Sequence, residues 1–366
     1  MPKSARAVPA ILIAYSDSDF TNPHEVVLPS EPKDRRGEFS HMGAQYWGFE
    51  SRRHLATRVN AGARRIEYDH AALGWLLIGL ERRTKVDRIR ISTKWFTGNH
   101  VRAVSVILVD DLTGGAQRVL ERKPLKPDSE HVFRITPFTA TECCIEVHHD
   151  GGIARIELFG TPAKEQPPAR RNLLENARIS HASNTHFGTP ELAVAGRRKQ
   201  KHMVGWESAR TGFGERALFH LRKPAVIDEV VVDTYLHRLN APLTAHVFAV
   251  NAGPKDIARL MKQAPRWAVV FDGRKEVVPD DFRDYMLNQR YLKERGVKNR
   301  EQFAIRLHTP RGCPWKPILA FAPLRPDTLH RFRDLNDVGP VTHVLYMHFD
   351  NGGIHALRMF GAESRR

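Results

Sequence analysis

Two glutamates stand in matched settings. Glu50 lies in Gly48-Phe49-Glu50-Ser51-Arg52-Arg53, and Glu207 lies in Gly205-Trp206-Glu207-Ser208-Ala209-Arg210. A carboxyl followed closely by guanidinium groups can exchange protons with a reacting group while the arginines pair with it or grip an anion. Glu50 and Glu207 are therefore the first candidates for acid–base catalysis, with Arg52, Arg53 and Arg210 as candidates for substrate binding. The same residues could equally form a structural pair that ties a loop to a strand. Asp17, in Ser16-Asp17-Ser18-Asp19-Phe20, and Asp233, which closes an apolar run, are further catalytic candidates. Either could instead cap a turn. Thr97 and Asn99, in Phe96-Thr97-Gly98-Asn99, form a polar loop after a strand, where ligand groups tend to lie. Arg155, inside a later strand, is a candidate for binding a carboxylate.

Other chemistries find less support. The chain has 19 histidines but no His-Glu-x-x-His or Cys-x-x-Cys spacing. The adjacent His148 and His149 would point to opposite faces of a strand and cannot chelate one ion. We expect no metal and no cofactor. Cys143 and Cys144 read as core strand rather than as nucleophiles. With 3 cysteines a disulfide framework is not expected, which suits a reducing, cytoplasmic setting. No run approaches 18 uncharged apolar residues, so no membrane span is expected. The net charge of +16 attracts anions. It is spread along the chain without a zinc-finger or aromatic RNA-binding signature, so a small anionic substrate is favoured over nucleic acid. A homo-oligomer is left open.

The elements that must position these residues come in two copies. Val86-Asp87-Arg88-Ile89-Arg90-Ile91-Ser92-Thr93 aligns with Ile227-Asp228-Glu229-Val230-Val231-Val232-Asp233-Thr234. The two glutamate blocks align, as do Ser16-Asp17-Ser18-Asp19-Phe20 and Ser183-Asn184-Thr185-His186-Phe187. So do Pro124-Leu125-Lys126-Pro127-Asp128-Ser129 and Pro323-Leu324-Arg325-Pro326-Asp327-Thr328, and finally Gly151-Gly152-Ile153 and Gly352-Gly353-Ile354. Matched blocks in one order indicate a tandem duplication. The length of 366 residues suits two domains, expected at 1–163 and 172–366 with a Pro-rich linker at 164–171. The offset rises from 141 to 199, so the second copy carries about 58 additional residues near 254–312. Within that insertion Asp280 and Asp281 could cap a helix through Phe282, Tyr285, Met286 and Leu292, ended by Gly296. Elsewhere short apolar runs rich in branched residues, at 76–78, 86–91, 104–109, 144–147 and 153–158, read as strands. Runs at 225–233, 245–250, 344–347 and 354–359 repeat the pattern. The fold expected is mainly all-β: two tandem β-sandwich or jelly-roll repeats with a helical insertion in the second.

Together these blocks resemble the allantoicase family. The first copy carries Gly48-Phe49-Glu50-Ser51-Arg52-Arg53, Phe96-Thr97-Gly98-Asn99 and Asp150-Gly151-Gly152-Ile153-Ala154-Arg155. The second carries Gly205-Trp206-Glu207-Ser208, Asp233-Thr234 and Gly352-Gly353-Ile354. The resemblance implies two jelly-roll repeats and hydrolysis of allantoate to ureidoglycolate and urea. That reaction breaks a carbon–nitrogen bond at a tetrahedral carbon, which calls for a general acid, a general base and a grip on a carboxylate. Departures from the family pattern cluster in the second copy. Phe-Thr-Gly-Asn has decayed there to His237-Arg238-Leu239-Asn240, and Asn351 and His355-Ala356 interrupt the last block. Phe49 and Ser92 depart in the first copy. A second reading is a diverged paralogue that acts on another ureido compound or binds a ligand without turnover. The better-kept blocks favour the first copy as the bearer of the site.

Overall fold

The computed structural model describes residues 6–18, 20–41, 43–53, 57–68, 74–198, 205–209, 214–253, 256–271, 276 and 303–364. It is mainly β, and it divides into two compact units, Met1–Pro168 and Ala169–Arg366.

In the first unit one strand, Gly74–Ser92, carries the architecture. The runs at 76–78 and 86–91 are two halves of this single strand, joined through the polar segment between them. Its first half pairs with Ala10–Tyr15 and with the end of Glu130–Val147; its second half pairs with the start of Glu130–Val147 and with Arg155–Pro162. Ala103–Asp110 and Gly115–Pro124 extend the order beyond Glu130–Val147. Leu76 and Ile78 from the first half and Ile89 and Ile91 from the second lie in one buried cluster. The long strands therefore supply both layers of a β-sandwich around one core.

Alternation alone would not bury both Val86 and Ile89, three residues apart. The ladder with Arg155–Pro162 shifts register between Phe159 and Gly160, pairing them with Arg88 and Val86 and leaving Asp87 as the extra residue of a bulge. Both apolar side chains then face the core. A Cβ on Gly160 would lie 2.1 Å from the Lys85 carbonyl oxygen, so the bulge requires glycine there.

The second unit repeats the plan. Glu215–Asp233, again 19 residues, pairs with Arg178–Ala182, Val341–Phe349, Leu329–Phe332 and Ala356–Glu363. The same bulge recurs: Gly361 pairs with Ile227 and Phe360 with Glu229, which leaves Asp228 over.

What the insertion does is now visible in part. The short helix Ile257–Lys262 precedes a hairpin of Arg266–Phe271 with Phe303–His308. Leu260, Ala264 and Trp267 pack with Trp315, Leu218, Phe248, Leu345 and Met347 into a second buried cluster. This cover explains why Val341–Phe349 is buried on both faces and reads as an unbroken apolar run. The described insertion is thus partly β, where the sequence suggested a helical excursion. The helix expected at 280–296 lies outside the described residues.

Candidate active site

Glu50 sits in a two-residue strand, Phe49–Glu50, laid against Gly152–Ile153. Alternation sends Phe49 into the core and Glu50 to the other side. Gly48 makes the approach possible. Its φ of 95° is open to glycine, and a Cβ there would lie 2.5 Å from the Ile153 carbonyl oxygen. The Glu50 N–H donates to Thr21 Oγ1 at 3.1 Å, and the Arg52 N–H donates to Asp17 Oδ1 at 2.7 Å. The Gly151 N–H donates to Ser51 Oγ at 3.0 Å. Side chains far apart in sequence thus fix the backbone on either side of the glutamate.

The half-buried side chain of Glu50 accepts a hydrogen bond from Asn99 Nδ2 at 2.6 Å. Asn99 is anchored in turn, because its carbonyl accepts from the Gly152 N–H at 2.7 Å. Gly152 rests on the Phe96 ring, where a Cβ would come within 1.9 Å. Burial pushes the Glu50 carboxyl above the ordinary carboxylate range, against the opposing pull of the Asn99 N–H. A glutamic acid in such a setting can keep a proton to give.

The second unit builds the same arrangement. Trp206 and Glu207 pair with Ile354 and Gly353. Asn240 Nδ2 donates to Glu207 Oε1 at 2.7 Å, and the Asn240 carbonyl accepts from the Gly353 N–H at 2.8 Å. Ser208 receives the Gly352 N–H at 3.2 Å, and Asn184 stands in for Asp17 by receiving the Ala209 N–H at 3.4 Å. The block that reads as decayed in the sequence therefore retains its working residue. Asn99 and Asn240 keep the offset of 141 set by Ser92 and Asp233, and that register was the signal available.

A turn held in the same way supports each asparagine. Asp128 and Asp327 accept from the N–H of Trp95 and Leu236 at 2.8 and 2.7 Å, which holds those residues at φ 73° and 64°. His131 and His330 each accept, at 2.8 Å, the N–H of Lys126 and Arg325.

The remaining candidates fall elsewhere. Arg155 is buried and is engaged by Glu31 at 2.8 Å and Glu157 at 3.2 Å, so gripping a substrate carboxylate would require it to leave those partners. Asp233 is buried, bridged to Arg198 through both its oxygens at 2.8 and 2.9 Å, and caps the Tyr235 N–H at 3.1 Å. Its counterpart Ser92 caps Lys94 in the same way at 3.2 Å. Neither Arg155 nor Asp233 hydrogen-bonds to a Glu–Asn pair. Arg52, Arg53 and Thr97 are exposed in the segments that carry Glu50 and Asn99. Arg210 lies outside the described residues. Residues that the sequence did not single out are Thr21, Ser51 and Ser208, which fix backbone, and His237, which occupies the place of Phe96.

Two copies of one β unit, each presenting a glutamate clamped by an asparagine, define a tandem-repeat β protein. The family model for the allantoicase repeat matches residues 4–163 and 172–295, and the chain belongs to the allantoicase family. It is similar to a probable allantoicase of Schizosaccharomyces pombe, with 24% identity over 98% of this chain and 91% of the relative. A probable allantoicase of Pseudomonas aeruginosa is 26% identical over 96% and 92%. The allantoicase of Saccharomyces cerevisiae is 26% identical over 63% and 70%.

Proposed function

We propose that this protein hydrolyses allantoate to ureidoglycolate and urea. The observation that carries the reading is the Glu–Asn pair, formed at 2.6 Å by Glu50 with Asn99 and at 2.7 Å by Glu207 with Asn240, in a chain of the allantoicase family. Allantoate bears a carboxylate and two ureido groups on one carbon. Urea leaves that carbon only when its nitrogen is protonated. A glutamic acid whose pKa is raised by burial, as at Glu50, is suited to supply that proton. The lone pair of the remaining ureido nitrogen expels the urea as the carbon–nitrogen bond breaks. Water then adds to the carbon, its oxygen forming the new bond and one proton returning to the glutamate.

The substrate is an anion, and Arg52 and Arg53 stand exposed two and three residues after Glu50, where they can meet its carboxylate. The free thiols Cys143, Cys144 and Cys313 fit work in the cytoplasm.

Incubation of the purified protein with allantoate tests the reading. Urea and ureidoglycolate should appear in equal amounts. Glu50→Gln and Glu207→Gln, checked by circular dichroism for an intact fold, should each lower kcat by roughly a hundredfold or more, the usual scale of acid–base catalysis. No urea above blank at micromolar enzyme rejects the proposal.

A further inference from the structure

The core of the second unit is polar where that of the first is not. A Cβ on Gly152 would meet the Phe96 ring at 1.9 Å, and one on Gly353 would meet the His237 ring at 2.0 Å, so the two rings lie beneath equivalent glycines. At the offset of 201 shared by the two Gly-Gly-Ile blocks, Tyr346 and His348 stand where the first unit has Ile145 and Val147. All of these side chains are buried. Three apolar groups of one repeat are thus a histidine, a tyrosine and a second histidine in the other. Tyr346 and His348 lie 5.8 Å apart by ring centroid, and Trp206 contacts both at 6.2 and 5.1 Å. The polar group therefore sits behind the strand that presents Glu207.

The hydrogen-bond directions are fixed by chemistry. Asn240 turns Nδ2 to Glu207, which points its Oδ1 the other way. That Oδ1 only accepts, and it lies 3.3 Å from Nδ1 of His237, which must then carry the ring proton. Nε2 of His237 is left as a lone pair in the core. It has no protein partner, nor have the Tyr346 hydroxyl and both ring nitrogens of His348. Buried polar atoms in native proteins are as a rule hydrogen-bonded, so this pocket of the core is suited to ordered water. Phe96 offers Asn99 nothing comparable.

We infer that His237 is a positioning residue for Glu207: donating from Nδ1–H to Oδ1 of Asn240, it locks that amide in the orientation that donates to the glutamate. The inference rests on the reading of Glu207 as an acid–base residue. The ionisable groups facing His237 are Glu207, Asp233, His348 and His355.

The full-length chain carrying His237→Phe, which is the first repeat's own choice of side chain, tests it alongside His237→Asn, which returns a donor near the Nδ1 position. For urea release from allantoate, His237→Phe should lower kcat roughly tenfold with KM little changed, because an unlocked amide no longer holds the glutamate in place. His237→Asn should restore kcat. The ¹⁵N spectrum of the imidazole in the wild-type protein should show the Nδ1–H tautomer. An Nε2–H tautomer overturns the inference, as does equal impairment by Phe and Asn, which would mark a purely packing role. A His237→Phe enzyme equal to wild type beside an inactive Glu207→Gln overturns this inference alone. A fully active Glu207→Gln overturns it together with the role given to Glu207.

Discussion

Asn99 holds the side chain of Glu50 through a single 2.6 Å hydrogen bond while its own carbonyl is tied to Gly152, the residue paired with Glu50 across the short ladder. The clamp thus has a side-chain part and a backbone part, and they can be separated. Asn99→Ala removes the first and leaves the second. We expect the fold to persist and kcat for urea release to fall by roughly 10–100-fold, the worth of a hydrogen bond to a charged or half-charged carboxyl. Asn240→Ala should act in the same direction on Glu207. A fall confined to KM would mean that the asparagine holds substrate and not the glutamate.

The raised pKa of Glu50 has a consequence for stability. Burial disfavours its charged form, so the folded protein keeps the proton at pH values where the unfolded chain has lost it. Between the unfolded and the folded pKa the native state binds more protons, and stability falls as pH rises. Glutamine, which cannot ionise and can still accept from Asn99, removes that penalty. Glu50→Gln should therefore raise the denaturant midpoint at pH 7 and leave it nearly unchanged below pH 4. An equal gain at both pH values would point to packing instead of charge.

The cysteines supply a negative control. Cys143 is buried in Glu130–Val147, and burial pushes its thiol far up; the Cys144 thiol is raised to about 11 by the same cause. At pH 8 about one Cys144 in a thousand is thiolate by the ordinary titration relation. Iodoacetamide applied to the native protein should leave both residues unmodified by mass spectrometry and urea release unchanged. Loss of activity in step with Cys144 alkylation would put a thiol in the site.

The repeat was legible because similar residue blocks recur in the same order in both halves, and the β class was legible because branched and aliphatic runs are short. The joining of two such runs into Gly74–Ser92 was not, since the polar stretch between them looks like a turn when its pairing with Glu130–Val147 is unknown. The hairpin in the insertion was missed for a related reason: Arg266–Phe271 finds its partner only across more than thirty intervening residues. Of the candidate site, Glu50, Glu207 and Asn99 came from the letters. Asn240 was passed over because the three residues before it had changed, although the backbone turn that carries it had not. The engagement of Arg155 with Glu31 and Glu157, and of Asp233 with Arg198, joins segments whose proximity only folding creates.

Gly152 and Gly353 separate support of the site from its chemistry. Each lies over a ring, Phe96 in one repeat and His237 in the other, and an alanine Cβ would come within 1.9 and 2.0 Å of them. Neither ring can retreat, since Phe96 is fully buried and His237 nearly so. Either glycine can yield only by moving backbone that also bonds to Asn99 or Asn240. Gly152→Ala and Gly353→Ala should each cost about 1–3 kcal/mol in denaturant titrations, as overpacking in a filled core does. Each should also loosen the neighbouring Glu–Asn clamp, so activity should fall further than Asn99→Ala or Asn240→Ala alone would explain. Pairing Gly152→Ala with Phe96→Leu, which makes room under the new methyl group, should recover most of the stability. Recovery of stability without activity would show that the ring itself is needed to hold the asparagine in place.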